Sequence, residues 1–355
     1  MISTLKNTNM ILNYIRRKII KSRDAQSHLI DKRIAFKNSR LFNDRLNYQV
    51  KSFGNKNPKK TFYVIQRSPG GGMFSNLNYI IHHLYIADKL GFIPVIDMEN
   101  YLTIYNEKKR VQNTFNAWEY FFEPVSKYKL KDVYESKKVI LTDGRTNLNK
   151  FFDGFENLSD EHHKIFKKYI KIKKYLIREK NNFIKKEFKN STVLGVHFRG
   201  TDYKNRERHP FPPTKKQMIK AVKKILNKHK YNKVFLVTEE KDYLEAFKKE
   251  FPNLIFYAKS HTKKKNIFFD NFRRLHRYNL GKENIVDMLI LSKADHIIIS
   301  GNLSVAALYF SKRKIKTNEV FNGFNSSNIF VAQILWYVKS ILSPNMGGFK
   351  EDILK

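Results

Sequence analysis

The sequence predicts an α/β protein made of two domains that face one another across a cleft. Short apolar runs with strand character alternate with amphipathic helical segments, which is typical of parallel sheets covered by helices on both faces. This alternation occurs twice, once before and once after residue 190. The chain has 355 residues, 41% of them hydrophobic, which is enough for two domains of ordinary size.

Residues 1–60 are expected to form a basic N-terminal helical appendage followed by a linker. In segment 10–36, isoleucines recur at helical spacing among arginines and lysines, a pattern that suits a basic helix at a membrane interface. A helix packed on the main body explains the same pattern equally well. Segment 51–60, KSFGNKNPKK, has the composition of a linker.

Residues 61–190 are expected to form the first α/β domain. Apolar residues recur at helical spacing over 74–90, and Gly91 follows at a position where helices commonly end. The predicted strands TFYVIQR, FIPVIDM and KVILTD span 61–67, 92–98 and 138–143, and one or two very basic helices follow at 159–190.

Residues 191–330 repeat the alternation and predict a second Rossmann-like domain, so that the chain as a whole is expected to hold two such domains. The predicted strands span 191–198, 232–239, 253–258 and 295–300. The predicted helices span 214–229, 241–251 and 284–294, and a further helix begins at 304. A C-terminal helix or tail is expected over 331–355.

Composition excludes several classes of protein. There is no cysteine, so disulfides and thiolate metal sites are ruled out and a reducing compartment is the simplest location. No apolar run approaches the roughly 20 residues that span a bilayer. The N-terminus lacks the ordered regions of a signal peptide. We therefore expect a cytoplasmic protein.

The charge is strongly positive, with 69 Lys and Arg against 32 Asp and Glu and a formal net charge of +37. Such a field attracts polyanions, whether nucleic acid, anionic lipid or a phosphorylated substrate. Much of the excess is lysine on predicted helix faces, where a solvated surface is the ordinary explanation. Peripheral contact with the anionic inner face of a membrane is consistent with this charge.

The segment 193-VLGVHFRGTDYKNRE-207 joins a buried strand to a loop rich in charged side chains. Ligands of parallel α/β sheets bind beyond the carboxyl ends of the strands. Four functional side chains fall at such an end, namely His197, Arg199, Thr201 and Asp202. An arginine there holds a phosphate through two parallel hydrogen bonds, and Glu207 is the nearest further carboxylate. The structural alternative is that Asp202 caps a turn and pairs with Arg199.

Two further loops join a predicted strand to a predicted helix. The loop 68-SPGGGMFSN-76 contains Gly70, Gly71, Gly72 and Asn76. The loop 300-SGNLSVAAL-308 contains Ser300, Asn302 and Ser304. Because a helix N-terminus presents free backbone N–H groups, both loops suit an anion. Each pattern alone is weak, since the glycine loop has neither a GK[ST] ending nor GxGxxG, and an ordinary N-cap explains the serines.

Several catalytic motifs are missing. There is no DxD, no HExxH and no cysteine–histidine cluster, so the sequence contains no recognisable metal site. The GxSxG motif of serine hydrolases is also absent. His82 and His83, on the first predicted helix, are expected to be structural.

Taken together, the three loops resemble the fucosyltransferase superfamily of the GT-B type, above all the α1,6-fucosyltransferases, with protein O-fucosyltransferases more distant. The shared signature is a strand that ends in His-x-Arg-Arg-x-Asp, and it stands here as His197-Phe198-Arg199-Gly200-Thr201-Asp202. The second block of the superfamily consists of a strand, a helix, and an Asp-bearing helix before another strand. Two segments of this chain resemble it, FLVTEEKDYLEAFKKEFPNLIFY and then NIVDMLILSKADHIIISGNLSVAALYF. The resemblance covers roughly residues 61–310 and implies a GT-B-like fold, with residues 61–190 on the acceptor side.

The resemblance implies a role for each matching residue. Arg199 is expected to bind the diphosphate of a GDP-sugar, His197 and Asp287 the guanosine, and Ser304 with its neighbours the phosphates. The glycines at 70–72 are expected to lie along the diphosphate and sugar. Glu207 falls where the α1,6 enzymes carry their catalytic base. Members of the superfamily use no metal or other cofactor and invert the anomeric centre.

This chemistry is physically consistent with the residues. The nucleotide diphosphate leaves with growing negative charge, which fixed cationic donors stabilise best. Without a metal, Arg199, the loop amides and Lys204 are expected to supply that stabilisation, with Asp202 orienting the arginine. A carboxylate base, Glu207, takes the proton of the acceptor hydroxyl.

The sequence departs from the superfamily at Gly200, which stands where the second arginine is expected. A smaller residue there favours a different sugar or acceptor, so transfer from another GDP-sugar is the main alternative to GDP-fucose. In 115-FNAWEYFF-122, Trp118 and Glu119 are candidates for binding an acceptor sugar, although aromatic core packing is the simpler explanation.

Two alternatives come from other classes, a basic nucleic-acid-binding protein and a catalytically silent lectin-like module. The first rests on the net charge alone and does not account for three strand-end loops. As acceptor we expect a bacterial surface polysaccharide or a lipid-linked, anionic glycan. Residues 10–36 and the loop 259-KSHTKKK-265 are candidates for holding the protein at a membrane.

Overall fold

The structure is a computed structural model that describes residues 50–66, 72–142, 160–262, 267–269, 273–311 and 313–350. The described residues form two compact units, one up to residue 171 and one from residue 172 onwards. Segment 10–36 and residues 263–265 of the loop 259–265, which were expected at a membrane, lie outside the described residues, as do Gly70 and Gly71.

The first unit contains a parallel three-stranded sheet with β1 (Phe62–Ile65) in the centre. All four residues of β1 are buried because the strand is covered on both faces, which explains its continuous apolar run. The other elements are α1 (Met73–Lys89), β2 (Ile93–Ile96), the short helix α2 (Leu130–Val133), β3 (Val139–Leu141) and α3 (Asp160–Tyr169).

The sequence predicted a linker over 51–60, and this prediction is wrong. The segment packs on the first unit. The backbone N–H of Lys51 donates to the carbonyl of Val139 at 2.8 Å, and that of Val139 donates back to Lys51 at the same distance. Phe53 packs edge-on against Tyr134. The polar composition misled because the segment is held largely by backbone hydrogen bonds, to Val139 of β3 and to residues 135–137 before it, rather than by side-chain burial.

The second unit contains a five-stranded sheet in the order β6-β5-β4-β7-β8, with every neighbouring pair parallel. Its strands are β4 (Val193–His197), β5 (Lys233–Val237), β6 (Leu254–Ile255), β7 (His296–Ile299) and β8 (Lys316–Glu319). Its helices are α4 (Lys174–Glu187), α5 (Lys215–Lys228), α6 (Lys241–Glu250), α7 (His276–Leu291), α8 (Asn302–Phe310) and α9 (Ile329–Ile341). The predicted α/β class with parallel sheets is therefore confirmed.

The apolar core of the second unit explains why β4 is central. Leu194 and Val196 are fully buried and pack with residues of α5, α6 and β5. On the other face, a Cβ on Gly195 would lie 2.4 Å from Leu291 of α7, so only glycine permits this close approach of helix and strand. The centre of the sheet is thus rigid where β4 ends at His197.

Candidate functional site

His197 and Ser304 join the ends of two neighbouring strands. His197 is the last residue of β4, and Ser304 lies in the first turn of α8, which follows β7. Both side chains are buried, and Nδ1 of His197 lies 3.1 Å from Oγ of Ser304. Because β4 pairs directly with β7, the two loops predicted from the sequence meet at the carboxyl ends of these strands.

The turn before α8 is shaped by Gly301 and Ser304. Gly301 is the N-cap of the helix and has a φ of +80°, a conformation that favours glycine. The Ser304 hydroxyl donates to the carbonyl of Gly301 and accepts from the backbone N–H of Ser300, both at 2.9 Å. Asn302 is the first helical residue and is exposed. The helix N-terminus is therefore held in a fixed geometry that suits an anion.

Tyr203 contacts both Arg199 and the start of α8, which no local sequence pattern had indicated. The guanidinium of Arg199 lies over the Tyr203 ring, 4.6 Å from its centroid. The hydroxyl of the same tyrosine would lie 3.3 Å from a Cβ on Gly301. The ring of His209 also stacks on Tyr203, at a centroid distance of 4.8 Å. One side chain thus separates the half-buried arginine from the helix N-terminus.

His197 is neutral at physiological pH. Burial, and to a smaller extent the positive charge of Arg199, lower the pKa of His197 to about 3. A neutral imidazole with its Nδ1 directed at Ser304 acts as a hydrogen-bonding group rather than as a cation. The positive charge at this edge therefore comes from Arg199.

The space beside Gly200 is filled by side chains at the start of α6. A Cβ at this position would lie 2.1 Å from Oε1 of Glu240 and 2.8 Å from the Tyr243 ring. Glu240 is in turn held by Lys204, whose Nζ lies 2.7 and 2.8 Å from the two carboxylate oxygens. The sequence suggested that Gly200 leaves room for another ligand, but the Glu240–Lys204 ion pair lies there instead.

Lys204 was expected to stabilise the diphosphate, and the structure gives it different partners. Its ammonium makes the ion pair with Glu240 and lies over the rings of Tyr243 and Trp336, at 4.8 and 5.1 Å. The two charged side chains are 15% and 11% exposed. This ammonium is therefore engaged within the second unit.

Two carboxylates that sequence reasoning missed follow β5. Oε1 of Glu239 accepts from the backbone N–H of Gly200 at 3.4 Å, and Glu240 makes the ion pair described above. Glu207, the predicted base, is exposed in the turn after the 3-10 helix Thr201–Lys204. Two consecutive glutamates directly after the strand FLVT were visible in the sequence as a possible sign of function. Their position beside the β4 loop follows from the strand order, which the sequence does not show.

Of Thr201 and Asp202, only the backbone is described, as part of the 3-10 helix. Their side chains lie outside the described residues. Asp287 is 3% exposed in α7, and its Oδ1 has no hydrogen-bond partner in the part of the chain that the structure describes. Burial, and secondarily the charge of Glu283, raise the pKa of Asp287 well above its usual range.

In the first unit, the described end of the glycine loop leads directly into α1. Gly72 is the N-cap and is exposed. Asn76 is buried and donates its side-chain amide to the carbonyl of Gly72 at 3.1 Å, so it stabilises the first turn of the helix. Asn76 and Trp118 line the same small, mainly apolar cavity, which brings two residues predicted for different ligands together.

Trp118 packs in the core, which was the structural alternative given for it. It is 3% exposed, stacks on Phe122 at a centroid distance of 4.1 Å, and donates Nε1–H to the carbonyl of Glu123 at 3.1 Å. Glu119 is half-buried, and its Oε1 accepts from the side chain of Asn116 at 3.3 Å. The indole is therefore not presented as an open platform for a sugar.

Among the described residues there is no group of three or more His, Asp or Glu side chains placed to hold a metal ion. Within the same residues, none of the helices combines the length and the apolar character that crossing a membrane requires.

No family model matches the chain, and no curated protein matches it. Among solved structures, the chain is similar to NodZ α1,6-fucosyltransferase soaked with GDP-fucose, with 18% identity and a TM-score of 0.47 over 70% of this chain and 92% of that one. It is also similar to fucosyltransferase NodZ from Bradyrhizobium, with 18% identity and a TM-score of 0.46 over 70% and 92%. For POFUT1 in complex with GDP, the identity is 10% and the TM-score 0.44 over 74% and 99%.

Proposed function

We propose that the chain is a glycosyltransferase that transfers fucose from GDP-fucose to a glycan, inverting the anomeric carbon without a metal ion. The observation that carries this proposal is the pairing of Arg199 with the N-terminus of α8 at the carboxyl ends of β4 and β7. The Tyr203 side chain lies against both of them. An arginine beside a helix N-terminus suits a diphosphate, because both offer several N–H donors to its oxygens.

The donor is held, in this proposal, by groups that the sheet fixes in place. Arg199 and the backbone N–H groups of the first turn of α8 bind the diphosphate, and Ser304 keeps that turn in position through its bonds to Gly301 and Ser300. His197 and Asp287 contact the guanosine. The buried Oδ1 of Asp287 is an acceptor that suits the adjacent N–H donors of a guanine edge.

The chemical step follows from the placement of charge. As the bond between sugar and diphosphate breaks, negative charge grows on the leaving GDP, and Arg199 stabilises it. The acceptor hydroxyl attacks the anomeric carbon from the opposite side and gives its proton to a carboxylate, which we assign to Glu207. Glu239 is the second candidate for this base, because its carboxylate contacts Gly200 at the end of β4.

The test is a panel of GDP-, UDP- and CMP-sugars incubated with the purified protein in the presence of EDTA. The proposal predicts that GDP is released from GDP-fucose, with acceptor glycans increasing the rate. Glu207→Gln and Glu239→Gln are compared in the same assay, and the variant that loses acceptor-dependent turnover but still binds GDP identifies the base. No turnover with any donor, combined with no thermal stabilisation by GDP, would contradict the proposal.

A different GDP-sugar is the second candidate, and the observation that favours it is that the Glu240–Lys204 ion pair lies beside Gly200, where the motif has an arginine. Release of GDP from another GDP-sugar but not from GDP-fucose would select it. A nucleic-acid-binding role has only the net charge in its favour. Binding to arbitrary DNA with a steep salt dependence, together with no response to nucleotide sugars, would support that role instead.

A further inference from the structure

Helix α9 presents a continuous apolar face to solvent. The face consists of Phe330, Val331, Ile334, Tyr337, Val338 and Ile341, which we call the α9 face. Their exposed fractions range from 41% to 71%. At 3.6 residues per turn these six positions fall within an arc of about 120°. Solitary exposed apolar residues are ordinary, but a contiguous helix face of this kind marks an interaction surface.

The opposite side of the helix is anchored to the loop that follows β4. The indole N–H of Trp336 donates to the carbonyl of Pro212 at 2.8 Å, and Gln333 donates to that of Asn205 at 3.0 Å. Ala332 is completely buried. Helix α9 is therefore a fixed part of the second unit, and its apolar face is not the consequence of a detached helix.

The charge around the α9 face is positive. The loop after β4, residues 198–214, carries four Lys and Arg against two acids, Asp202 and Glu207, and residues 320–355 carry three lysines against Glu351 and Asp352. The whole chain has a formal net charge of +37. An apolar surface within such a field is complementary to a layer that is apolar inside and anionic outside.

We propose that the α9 face inserts into the surface of an anionic phospholipid bilayer. Two other occupants fit the observations less well. A second copy of the chain would bring the same high positive charge against this one, which opposes association. Nucleic acid would satisfy the charge but would leave the phenylalanine and isoleucine side chains without an apolar partner. A bilayer surface satisfies both, and aromatic residues such as Phe330 and Tyr337 are common at that depth.

This docking concerns a surface distinct from the proposed donor site, although the two are connected. Lys204, in the loop after β4, lies over the Trp336 ring at 5.1 Å, and its carbonyl accepts from the side chain of Asn325 at 3.3 Å. Docking through α9 therefore holds the β4 loop close to the lipid surface. That position is compatible with an acceptor carried on a lipid.

The first test is sedimentation of the full chain with vesicles of phosphatidylglycerol and phosphatidylcholine, and with vesicles of phosphatidylcholine alone. We expect binding to the anionic vesicles and much less to the neutral ones. The double variant Phe330→Ser/Ile334→Ser should lower the partition coefficient about tenfold or more, because two apolar side chains no longer insert. These side chains are 71% and 61% exposed, so the variant should keep the thermal stability of the wild type.

The matched control is Val50→Ser, which removes an apolar side chain that is 49% exposed in the first unit and should leave vesicle binding unchanged. The chain has two tryptophans, and Trp118 is buried in the first unit. Because Trp336 lies on the anchored side of α9, Tyr337→Trp is used to place an indole on the α9 face, and brominated lipids should quench this variant more strongly than the wild type.

Three results would overturn the inference. They are equal vesicle binding by the wild type and the double variant, no added quenching of Tyr337→Trp over the wild type by brominated lipid at saturating vesicle concentration, and a wild-type dimer that the double variant converts to a monomer. Thermal stabilisation by GDP, measured on the same variants, reports on the proposed donor site and not on docking. A failure of one proposal is thereby distinguished from a failure of the other.

Discussion

A Cβ atom on Gly200 would lie 2.1 Å from Oε1 of Glu240, so the glycine and the Glu240–Lys204 ion pair depend on one another. The superfamily that the sequence resembles has an arginine at this position of its His-x-Arg-Arg-x-Asp motif. In this chain Glu240, the N-cap of α6, places its carboxylate in the same space. Restoring the arginine is therefore not a neutral change.

Gly200→Ala should lower the free energy of unfolding by about 1–3 kcal/mol, because overpacking displaces Glu240 from Lys204. Gly200→Arg should be at least as destabilising and should not strengthen GDP binding. The measurement is urea denaturation followed by circular dichroism. Gly72→Ala is the control, since Gly72 has a φ of −71° and no neighbour within 4 Å of an added Cβ. Equal stability of Gly200→Ala and wild type would show that the ion pair moves without cost.

The ion pair itself makes a separate prediction. Glu240→Gln should cost about 3 kcal/mol of unfolding free energy, because it leaves the largely buried ammonium of Lys204 without its counter-charge. The double variant Lys204→Met/Glu240→Gln should be more stable than Glu240→Gln alone. A double-mutant cycle from denaturant unfolding measures this coupling. Purely additive effects of the two substitutions would contradict it.

The buried histidines predict a loss of stability in acid. Burial, with a smaller contribution from His162, lowers the pKa of His82 to about 3, whereas an unfolded histidine titrates near 6.5. Between these values the unfolded chain binds the extra proton, so this contribution to stability is complete above pH 6.5 and decreases as the pH falls towards 3.

His82→Phe should therefore reduce the pH dependence of the unfolding free energy between pH 4 and 6 by about 1.4 kcal/mol per pH unit. Comparison of the variant with the wild type isolates one histidine from the other titrating groups. Denaturant titrations at several pH values give the two slopes. Identical slopes would mean that His82 is already protonated in the folded protein.

Asp287 predicts that GDP binding is linked to proton release. Burial, and then the charge of Glu283, raise the pKa of the free carboxyl group. N–H donors of a bound guanine favour its ionised form, so binding should release a proton and become tighter as the pH rises towards the raised pKa. Calorimetric titration in two buffers of different ionisation enthalpy measures this release. Asp287→Asn should remove the buffer dependence and weaken GDP binding about tenfold or more, and buffer-independent wild-type heats would exclude the contact.

The sequence predicted the central part of the second unit well. The apolar runs before His197 and before Ser300 are strands, and the serine-bearing segment after the latter begins a helix, because buried parallel strands have a strong local signature. By contrast, β8 was missed. All four of its residues are exposed, and it joins the sheet through backbone pairing with β7 and a polar contact of 2.7 Å between Asn318 Oδ1 and His296 Nε2, which leaves no apolar pattern to detect.

The parts of the site that depend on strand order were not predictable from local patterns. Glu239 and Glu240 adjoin Gly200 only because β5 lies beside β4. In the sequence Lys204 appeared to be a free cation. Its partners are Glu240, 36 residues further along the chain, and Trp336, which is more distant still. The sequence also gave no sign that Tyr203 lies between Arg199 and α8, since a lone tyrosine in a loop has no distinctive pattern.

The most direct test of the proposed donor site is calorimetric titration of GDP into the wild type and Arg199→Ala without divalent metal. Losing charge-assisted hydrogen bonds to the diphosphate should weaken binding about 100-fold. Arg208→Asn removes the same charge from an exposed position of the same loop, with a residue that tolerates its φ of 61°, and should bind GDP like the wild type. If Arg199→Ala bound GDP as tightly as the wild type, or if the wild type did not bind it, the site at the ends of β4 and β7 would not be a GDP-sugar site.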